Sequence, residues 1–465
     1  LFEQGEQAPL EQYIFENLRH AQKSKPIIIG SGPAGLFCAL RLAEYGIASI
    51  ILERGDRVPK RMQKISKYWR YGELDAESNV CFGEGGAGLY SDGKLITRVK
   101  SEHIPYVMKK FVQMGAPPET EYLSNPHLGS NKIRTLIGVI TKELEAKGCE
   151  LKFNSKVVDF IFDDKNCTQG VILESGEKLF SPQVVVATGH SAREMYHVLH
   201  RHQVDMKTKN FAIGVRIEHQ RQYIDKMQHG EYSEHPLLGA ARYRLSFHNQ
   251  ETDRGTYSFC MCPGGYVLAS STDQEGIVTN GMSNNACNSA WSNAALVVTV
   301  HTDYDCNVEK EGVLAGLHFI ESIEKKAFEY SKKLATGREI PAQRVKDFLQ
   351  DKVSLDFPKT STPSQLVSIP LKELLPSFVI NHLKHALKSF NSQIRGFSDE
   401  GILLAPETRT SSPVTISRDV VKLESTSHSG LYPAGEGAGH AGGITSAAVD
   451  GVKIAEAIIE RLKAE

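Results

Sequence analysis

The sequence predicts an α/β fold, or α+β overall, that begins with a parallel βαβ unit and continues into an antiparallel meander. Residues 26–30 and 47–53 are apolar runs suited to buried parallel strands. Between them, Leu36, Leu40 and Ala43 recur at helical spacing, and Gly46 is placed to end the helix. Residues 151–181 contain three short strand patterns separated by polar turns, which is typical of a meander.

Further elements follow from the same periodicities. Residues 183–189 form another buried apolar run, residues 8–22 and 131–148 have helical patterns, and the chain closes with a strand, a glycine turn and a long helix. From about 200 to 402 the pattern is mixed, without a new βαβ start. We therefore predict a helical segment at 1–24, a nucleotide-binding domain at 25–200 and 403–465, and an inserted substrate or cap domain at 201–402.

Composition excludes several function classes. The chain has 465 residues, 23% of them charged, and a formal net charge of −1, which gives no electrostatic reason to expect nucleic acid or an anionic membrane as partner. No apolar run approaches the roughly 18–20 residues of a membrane span, and residues 1–24 are too polar for a secretory signal. We expect a cytoplasmic protein with a small-molecule substrate and leave its oligomeric state open.

The cysteines do not predict a disulfide framework. Eight cysteines are spread irregularly over the chain, and Cys260 and Cys262 form the one close pair. No further ligands stand near that pair in sequence, so we expect no metal. A redox role and ordinary packing are the alternatives that remain for it.

The first of three G-x-G-x-x-G segments predicts a dinucleotide site of the Rossmann type. Gly30 permits the tight turn, Gly32 lets a pyrophosphate approach the backbone, and Gly35 lets the helix pack closely on the strand. The helix N-terminus offers free N–H groups and the positive end of its dipole to the phosphates. Glu53 ends the second strand, where a carboxylate can accept hydrogen bonds from an adenosine ribose.

The other two G-x-G-x-x-G segments are not independent dinucleotide sites. Residues 83–88 follow a poor strand, and the residues after them favour a hairpin around Asp92 and Gly93. Residues 437–442 precede a helix that closes the chain, so no second strand can follow. Both segments supply bare backbone, and we interpret them as two further walls around the same nucleotide.

The motifs together resemble a known superfamily. The first glycine loop with its ERG segment at 53–55, VVVATGH at 184–190 and GLYPAGEGAGHAGGITSAAVDG at 430–451 resemble the FAD-binding glutathione-reductase-type superfamily, in the p-hydroxybenzoate hydroxylase-like branch. NVCFGEGGAGLYSDGKL, IGVRIEH, FCMCPGGYV, NGMS and ETRTSSPV are similar to a bacterial family of FAD-dependent dehydrogenases of mostly unassigned substrate. The resemblance covers about residues 25–460. It implies a Rossmann-type FAD-binding domain with a β-meander and an inserted mixed α/β substrate domain.

The resemblance also implies which residues contact FAD. Glu53 holds the ribose, Arg54 lies beside the adenine, Ser91 and Lys94 lie nearer the isoalloxazine, and residues 442–444 meet the flavin ring. Cys81 and His440 depart from the residues that the family often carries. The full set implied for FAD is Gly30, Ser31, Gly32, Pro33, Ala34, Gly35, Glu53, Arg54, Gly85, Gly86, Ala87, Gly88, Ser91, Lys94, Leu95, Val157, Thr188, Gly189, Gly435, Glu436, Gly442, Gly443 and Ile444.

Candidate catalytic residues are Lys94, Glu407, Arg409 and Ser412. Residues 406–414 immediately precede the last flavin segment and are expected at the domain junction. There Arg409 holds an anionic substrate group or opposes the charge of a reduced flavin, and a structural salt bridge is the alternative. In the segment GVRIEH, Arg216 and Glu218 alternate with apolar residues as on a half-exposed strand, so we expect both to face solvent, with a cleft-facing position as the alternative for Arg216.

The leading functional hypothesis is an FAD-dependent oxidoreductase, with hydride passing through flavin N5 to or from a small organic substrate at the domain junction. NAD(P)H is at most a transient reductant, because residues 190–410 contain no second dinucleotide motif. Two alternatives stay open: a module with a structural or redox-sensing flavin that serves a protein or RNA partner, and a flavin monooxygenase. A disulfide reductase is set aside because Cys81 stands alone where that class carries a C-x4-C pair.

Overall fold

The computed structural model describes residues 24–464, and its first unit is a five-stranded parallel sheet. The neighbouring strands pair in parallel throughout. The predicted βαβ start and the α/β class are confirmed, whereas the helix expected at residues 8–22 lies outside the described residues. In sheet order the strands are β19 (Leu431–Pro433), β7 (Val184–Val186), β1 (Ile27–Ile29), β2 (Ile50–Leu52) and β3 (Glu150–Lys152).

Helices cover this sheet, and the last helix of the described chain packs against the helix that follows β1. The helices are α1 (Pro33–Glu44), α2 (Val58–Tyr71), α3 (Ile104–Gln113), α4 (Gly129–Ala146), α5 (Arg193–Arg201) and α12 (Ile444–Ala464). A Cβ on Gly451 of α12 would stand 2.0 Å from the carbonyl oxygen of Ala34, so α12 packs against the backbone of α1. This contact places the last glycine segment beside the first.

The meander predicted between residues 151 and 181 is also present. Its strands are β4 (Val157–Phe162), β5 (Thr168–Leu173) and β6 (Lys178–Phe180). They pair in sequence order, and both pairings are antiparallel. Val157, Phe160 and Val171 bury their side chains against the first sheet in a shared apolar cluster.

The hairpin expected around Asp92 and Gly93 is wrong. Residues Ala87–Tyr90 form a short 3₁₀ helix, and Lys94 makes an isolated antiparallel bridge with His127. Contacts of the Asp92 side chain replace the expected hairpin. The Asp92 carboxylate is buried, its Oδ2 lies 2.8 Å from Lys94 Nζ, and its Oδ1 accepts a hydrogen bond from the Ser283 hydroxyl. These contacts hold the segment in a loop against the second sheet.

The second unit is a seven-stranded mixed sheet between residues 211 and 407. The pairings are antiparallel except for the last pair in the order. The domain boundary at 402 stays a prediction, and the last strand of this sheet along the chain runs to Glu407. In sheet order the strands are β10 (Ser246–Asn249), β11 (Arg254–Cys262), β14 (Trp291–Val300), β9 (Phe211–Gln220), β17 (Ile402–Glu407), β15 (Ile340–Arg344) and β16 (Leu366–Ser368).

Long amphipathic helices bury one face of this sheet. Helices α9 (Ala315–Leu334) and α11 (Ser377–Gln393) contribute Ile320 and Leu383 to the same core as Ile213 and Ile217 of β9. The remaining helices are α6 (Arg221–His229), α7 (Thr302–Asp305), α8 (Val308–Glu311) and α10 (Val345–Leu349). Across residues 24–464, no helix combines the length and apolar character that a membrane crossing requires.

Two small antiparallel sheets connect the units. Strands β8 (Met206–Thr208) and β18 (Val414–Ile416) pair beside the first unit. Strands β12 (Tyr266–Ala269) and β13 (Thr279–Met282) pair beside the second. The chain thus crosses between the units near residues 206 and 414, where both crossing segments are tied to each other.

Candidate functional site

The three glycine segments converge on one cavity of about 1240 Å³. A Cβ on Gly86 would stand 3.0 Å from Gly32 Cα, so the first and second segments touch backbone to backbone. A Cβ on Gly88 would stand 3.2 Å from the Ile444 side chain, which brings the third segment to the second. The interpretation that three segments wall one site agrees with this geometry.

The first segment has the conformation that its glycines were expected to provide. Gly30 has a φ of +105°, and a Cβ there would stand 2.4 Å from the carbonyl oxygen of Ala187. A Cβ on Gly35 would stand 2.0 Å from the carbonyl oxygen of Gly30. Helix α1 begins just after Gly32 with Pro33 in its first turn, and no side chain hydrogen-bonds to its N-terminus. Its first N–H groups are therefore available to an anion at the cavity wall.

Glu53 connects the first and second segments. Its Oε2 accepts hydrogen bonds from the Ser31 backbone N–H (3.0 Å) and from Ser31 Oγ (2.7 Å). Its Oε1 accepts hydrogen bonds from the N–H groups of Gly55 (3.0 Å) and Gly83 (2.9 Å). An ionised carboxylate has about four lone-pair sites, so the protein alone engages this group fully. Contact between Glu53 and a ribose stays a prediction.

The second segment is organised by Arg61, a residue that the sequence patterns did not single out. Arg61 lies on α2, is fully buried, and donates hydrogen bonds to five backbone carbonyls between residues 79 and 86. Its Nε donates to Asn79 (2.9 Å), and Nη1 and Nη2 donate to pairs of carbonyls that include Glu84 (2.7 Å) and Val80 (2.8 Å). A guanidinium has five N–H donors, so this one side chain gathers the loop around itself.

The third segment presents open backbone at the start of α12. Gly442 and Gly443 are exposed, line the cavity, and have no heavy atom within 4 Å of a Cβ position. The N–H of Gly435 donates to Asp450 Oδ2 at 2.7 Å, which fixes the entry to the segment. The first-turn N–H groups of a helix lack intrahelical acceptors, so this end of α12 offers donors to a partly negative ligand.

Glu436 directly precedes the third segment and carries a titratable side chain. It lines the cavity, and its Oε1 lies 3.7 Å from His190 Nδ1. Burial raises the pKa of Glu436 to about 7, and Lys209 partly offsets this rise. Burial also lowers the pKa of His190 to about 4, and Arg409 and Arg193 add to that effect. His190 is therefore neutral at pH 7, where Glu436 exchanges protons most readily.

Most residues predicted to contact FAD line this cavity, and four do not. Ser31, Gly35, Gly85 and Leu95 lie behind the wall: Ser31 binds Glu53, Gly35 packs on β1, Gly85 packs on Ile137, and the Leu95 carbonyl accepts a hydrogen bond from Thr445. The lining set is Gly30, Gly32, Pro33, Ala34, Glu53, Arg54, Gly86, Ala87, Gly88, Ser91, Lys94, Val157, Thr188, Gly189, Gly435, Glu436, Gly442, Gly443 and Ile444.

Arg54 is fixed at the end of the cavity expected for adenine. Its guanidinium lies over the Phe82 ring, 4.0 Å from the centroid, and forms ion pairs with Glu77 (2.6 Å) and Glu194. Stacking on an aromatic ring and pairing with two carboxylates hold the guanidinium plane in one orientation. Arg54 therefore presents a preformed flat surface to the cavity.

Lys94 spans from the second glycine segment to the second sheet. Its Nζ lies 2.8 Å from Asp92 Oδ2 and donates a hydrogen bond to the Met261 carbonyl oxygen. Burial opposes its charge, but Cys260 and Asp92 raise the pKa of Lys94 above its ordinary value. Ser91 Oγ donates to the carbonyl oxygen of Gly88 at 2.8 Å. Both Lys94 and Ser91 line the cavity, as their predicted position near the flavin requires.

Arg409 lines the cavity and also forms the salt bridge that was the alternative for it. Its Nη2 lies 3.1 Å from Glu324 Oε2 on α9, and its Nη1 donates to Ser191 Oγ at 3.2 Å. Glu324 also accepts a hydrogen bond from Arg193 at 2.6 Å. Burial opposes ionisation of Glu324, but Arg193 and Arg409 lower its pKa to about 2. The pair of arginines on one carboxylate joins the two units.

Ser412 lies outside the cavity lining. Its Oγ donates to the Val414 carbonyl oxygen at 2.6 Å and lies 3.0 Å from the hydroxyl of Tyr196. Tyr196 in turn donates to the Gly437 carbonyl oxygen at 2.7 Å. The observed contacts give Ser412 a place in a buried network beneath the third glycine segment. Ser412 does not line the cavity, and its catalytic role stays a prediction.

The expectation that Arg216 and Glu218 face solvent is wrong, because both side chains are buried. Arg216 shows the reason. Its side chain is fully buried, and it forms a two-pronged ion pair with Glu407, at 3.0 Å from Nε and 2.7 Å from Nη2. Nη1 also donates to Asn293 Oδ1 (2.9 Å) and to the Cys260 carbonyl oxygen (3.2 Å). Glu407 lines the cavity, so the Arg216 charge lies directly behind the cavity wall.

Glu407→Gln is expected to lower the free energy of unfolding by about 2–3 kcal/mol, because the amide leaves the buried Arg216 guanidinium without its counter-charge. Chemical denaturation of the FAD-loaded protein measures the change. Glu400→Gln is the matched control, since Glu400 is exposed. Equal changes in the two variants would show that the Arg216 pair contributes nothing to stability.

Glu218 predicts an unusual pH dependence of stability. It is buried on β9, where Ser361 donates its N–H (2.9 Å) and its hydroxyl, and burial raises the pKa of Glu218 from 4.5 to about 7. The folded protein therefore binds a proton between pH 4.5 and 7 that the unfolded chain releases, so this group makes stability fall as pH rises through that window. Glu218→Gln is expected to remove this fall and to stabilise the protein at pH 8 by about 2 kcal/mol.

Urea denaturation at pH 5 and pH 8 checks the Glu218 prediction. The exposed Glu251→Gln serves as control and is expected to keep the wild-type difference between the two pH values. A Glu218→Gln variant with the same pH dependence as the wild type contradicts the prediction.

The arrangement fits a flavin dinucleotide. A Cβ on Gly30, Gly35 or Gly86 would meet backbone, the N-termini of two helices reach the cavity, and the cavity volume exceeds the roughly 300–1,000 Å³ of ordinary ligand pockets. FAD, when bound, supplies two-electron redox chemistry at its isoalloxazine ring. The residues of this chain provide phosphate donors at α1, the Arg54 surface at one end, and Lys94 with the open start of α12 at the other.

Comparisons with known proteins identify the cofactor. A family model for an FAD binding domain matches residues 23–62, which contain β1, the first glycine segment and β2. A second model, for the C-terminal domain-like part of an FAD-dependent protein, matches residues 210–410. An uncharacterized protein of Clostridium beijerinckii is 43% identical over 444 residues, which are 94% of this chain and 81% of that protein. The prediction of FAD is confirmed.

Solved structures of flavoproteins align with the chain at low identity. A halogenase, PltM, solved as a mutant in complex with FAD, aligns with 95% of this chain and 70% of its own, at 9% identity and a TM-score of 0.41. GidA from Aquifex aeolicus aligns with 95% of this chain and 64% of its own, at 13% identity and a TM-score of 0.40. From the family matches and the sequence relative, the chain belongs to a family of FAD-dependent proteins, and it is an FAD-dependent oxidoreductase with FAD as its cofactor.

Proposed function

We propose that the protein is a dehydrogenase that transfers hydride between flavin N5 and a small organic anion bound where the two sheets meet. One observation carries the proposal: the cavity does not end at the three glycine segments. It continues along a second wall formed by residues 242–246 and 257–261, beside and within β10 and β11. This extension provides room for a substrate beside the cofactor.

The charges of the second wall support an anionic substrate. Arg242 and Arg244 belong to this wall and Arg98 lines the same cavity, and none of the three forms an ion pair with a carboxylate among residues 24–464. A guanidinium binds carboxylate or phosphate groups with two parallel hydrogen bonds, so free arginines at a cavity wall favour such ligands. Arg409, the anion-binding residue expected from the sequence, is instead engaged with Glu324.

Asp92 and Glu407 are two of the acidic residues that line the cavity, and both are already paired with cations. Asp92 pairs with Lys94, and Glu407 pairs with Arg216. Paired carboxylates repel an incoming anion less than free ones do.

Anaerobic flavin spectroscopy tests the proposed function. The purified FAD-loaded protein is reduced with NADH or NADPH and then mixed with carboxylate or phosphate-bearing carbonyl compounds and with their neutral analogues. Reoxidation of the flavin by an anionic acceptor, without oxygen, is the expected result. Flavin that no pyridine nucleotide and no organic compound reduces or reoxidises would support the redox-sensing module, and turnover that requires oxygen would support a monooxygenase.

Arginine variants then test the substrate class. Replacing both Arg242 and Arg244 by glutamine is expected to raise KM for the anionic acceptor at least about tenfold with kcat nearly unchanged, because the lost contacts lie away from the reacting atoms. Arg395→Gln is the matched control, since Arg395 is exposed and lies outside the cavity lining. An unchanged KM in the double variant would exclude this anion site.

A further inference from the structure

Cys260 and Cys262 lie together at the edge of the FAD cavity. Cys260 lines the cavity, and Cys262 is buried two residues further along β11. The pairing of β11 with β14 shifts register between Phe259 and Cys262, and Cys260 adopts a φ of +43°. A bulge of this kind re-aims side chains within a strand. Here the Cys262 thiol donates a hydrogen bond to the carbonyl oxygen of Cys260 at 3.3 Å, so the two cysteines contact each other.

The two thiols have different acidities. The neighbouring Cys262 thiol lowers the pKa of Cys260 below its ordinary value; burial opposes the shift, and the nearby cations Lys94 and Arg216 reinforce it. The Cys260 side chain and burial raise the pKa of Cys262 well above its ordinary value. One thiolate beside one thiol is the arrangement that reactive dithiol motifs use, because the thiolate is the reacting form.

This dithiol stands at the flavin end of the cavity. Lys94, at the end of the second glycine segment, donates a hydrogen bond to the carbonyl oxygen of Met261, the residue between the two cysteines. Glu436, directly before the third glycine segment, lies close enough for a Cys260 thiolate to raise its pKa. Cys260 and the open start of α12 line the same cavity.

We propose that Cys260 and Cys262 form a dithiol–disulfide couple that exchanges two electrons with the FAD bound in this cavity. In the oxidising direction the two thiols release two protons and two electrons, one Sγ–Sγ bond forms, and oxidised FAD becomes FADH₂ by taking up both electrons and both protons. The reverse reaction breaks the Sγ–Sγ bond and restores two thiols. The inference rests on FAD binding and is independent of the organic substrate proposed above.

Anaerobic dithionite titration of the air-oxidised protein distinguishes the couple from flavin alone. Wild type is expected to consume four electrons per bound FAD, two for the flavin and two for the disulfide, since a disulfide is a two-electron couple. Cys260→Ser and Cys262→Ser are each expected to consume two. Cys167→Ser is the control, because Cys167 lies in the meander outside the cavity lining, and it is expected to consume four.

Thiol alkylation supplies a readout that needs no turnover. N-ethylmaleimide under denaturing conditions, followed by mass spectrometry of the peptide that contains both cysteines, is expected to find no label in the oxidised protein and two labels after reduction. This measurement uses wild type and decides the question even where a serine variant loses FAD. Two electrons per FAD in wild type, or two labels in the air-oxidised protein, would overturn the inference. Neither result bears on the pyridine nucleotide and acceptor experiment.

Discussion

Arg61→Ala is expected to lower the free energy of unfolding by at least about 4 kcal/mol and to abolish FAD retention. The side chain is fully buried, and the five backbone carbonyls that accept its hydrogen bonds have no replacement donor in the variant. Each buried acceptor left without a partner costs about 1–3 kcal/mol, and the space of a lost guanidinium adds to that cost. Thermal unfolding and the FAD-to-protein absorbance ratio measure the two effects.

The control for Arg61 lies on the same helix. Arg70 is exposed in the last turn of α2, and Arg70→Ala is expected to change stability by less than about 0.5 kcal/mol and to leave FAD in place. Arg61→Lys separates charge from geometry, because an ammonium group keeps the charge but has three donors instead of five. A lysine variant with wild-type FAD retention would show that the buried charge alone holds the second glycine segment.

Gly35→Ala is the second substitution with a large expected effect. A methyl group at this position would stand 2.0 Å from the carbonyl oxygen of Gly30 and 3.1 Å from the Ile28 side chain, so helix α1 must move away from β1. That movement shifts the N-terminus of α1 from the position where it meets the pyrophosphate. We expect loss of FAD from the purified protein, measured by absorbance after gel filtration.

Gly138→Ala is the matched control for this substitution. Gly138 lies inside α4, and a Cβ there meets no heavy atom within 4 Å. Alanine is favoured over glycine in a helix interior by about 0.5–1 kcal/mol, so the variant is expected to keep FAD and to unfold at the same or a slightly higher temperature. FAD retention by Gly35→Ala equal to that of Gly138→Ala would show that the close approach of α1 and β1 does not position the cofactor.

The junction between the two units contains two ion-paired clusters. Arg409 and Arg193 share Glu324 of α9, and Arg216 pairs with Glu407 behind the cavity wall. Both clusters are buried, so each charge depends on its partner for stability. The residues first considered for catalysis at 407 and 409 therefore hold the cavity walls together. Glu436 and Cys260 line the same cavity, and neither side chain is part of these two ion-paired clusters.

The sequence by itself determined the nucleotide-binding half of the protein. Local patterns suffice there, because each strand, glycine turn and helix of the βαβ unit lies within about thirty residues. They predicted β1, α1 and β2, the conformation of Gly30, the meander, and the convergence of three glycine segments on one FAD. The resemblance of the motifs added the cofactor, which the family matches confirm.

The tertiary structure alone decided how the remaining polar groups are used. Alternation along β9 shows that Arg216 and apolar residues occupy opposite faces, but only the tertiary structure shows that both faces are covered, since residues 211–219 are all buried. In the same way, Arg61 meets carbonyls up to 25 positions away, and Glu53 meets an N–H group 30 positions away. Periodicity reports local geometry, and these contacts depend on which segments the fold brings together.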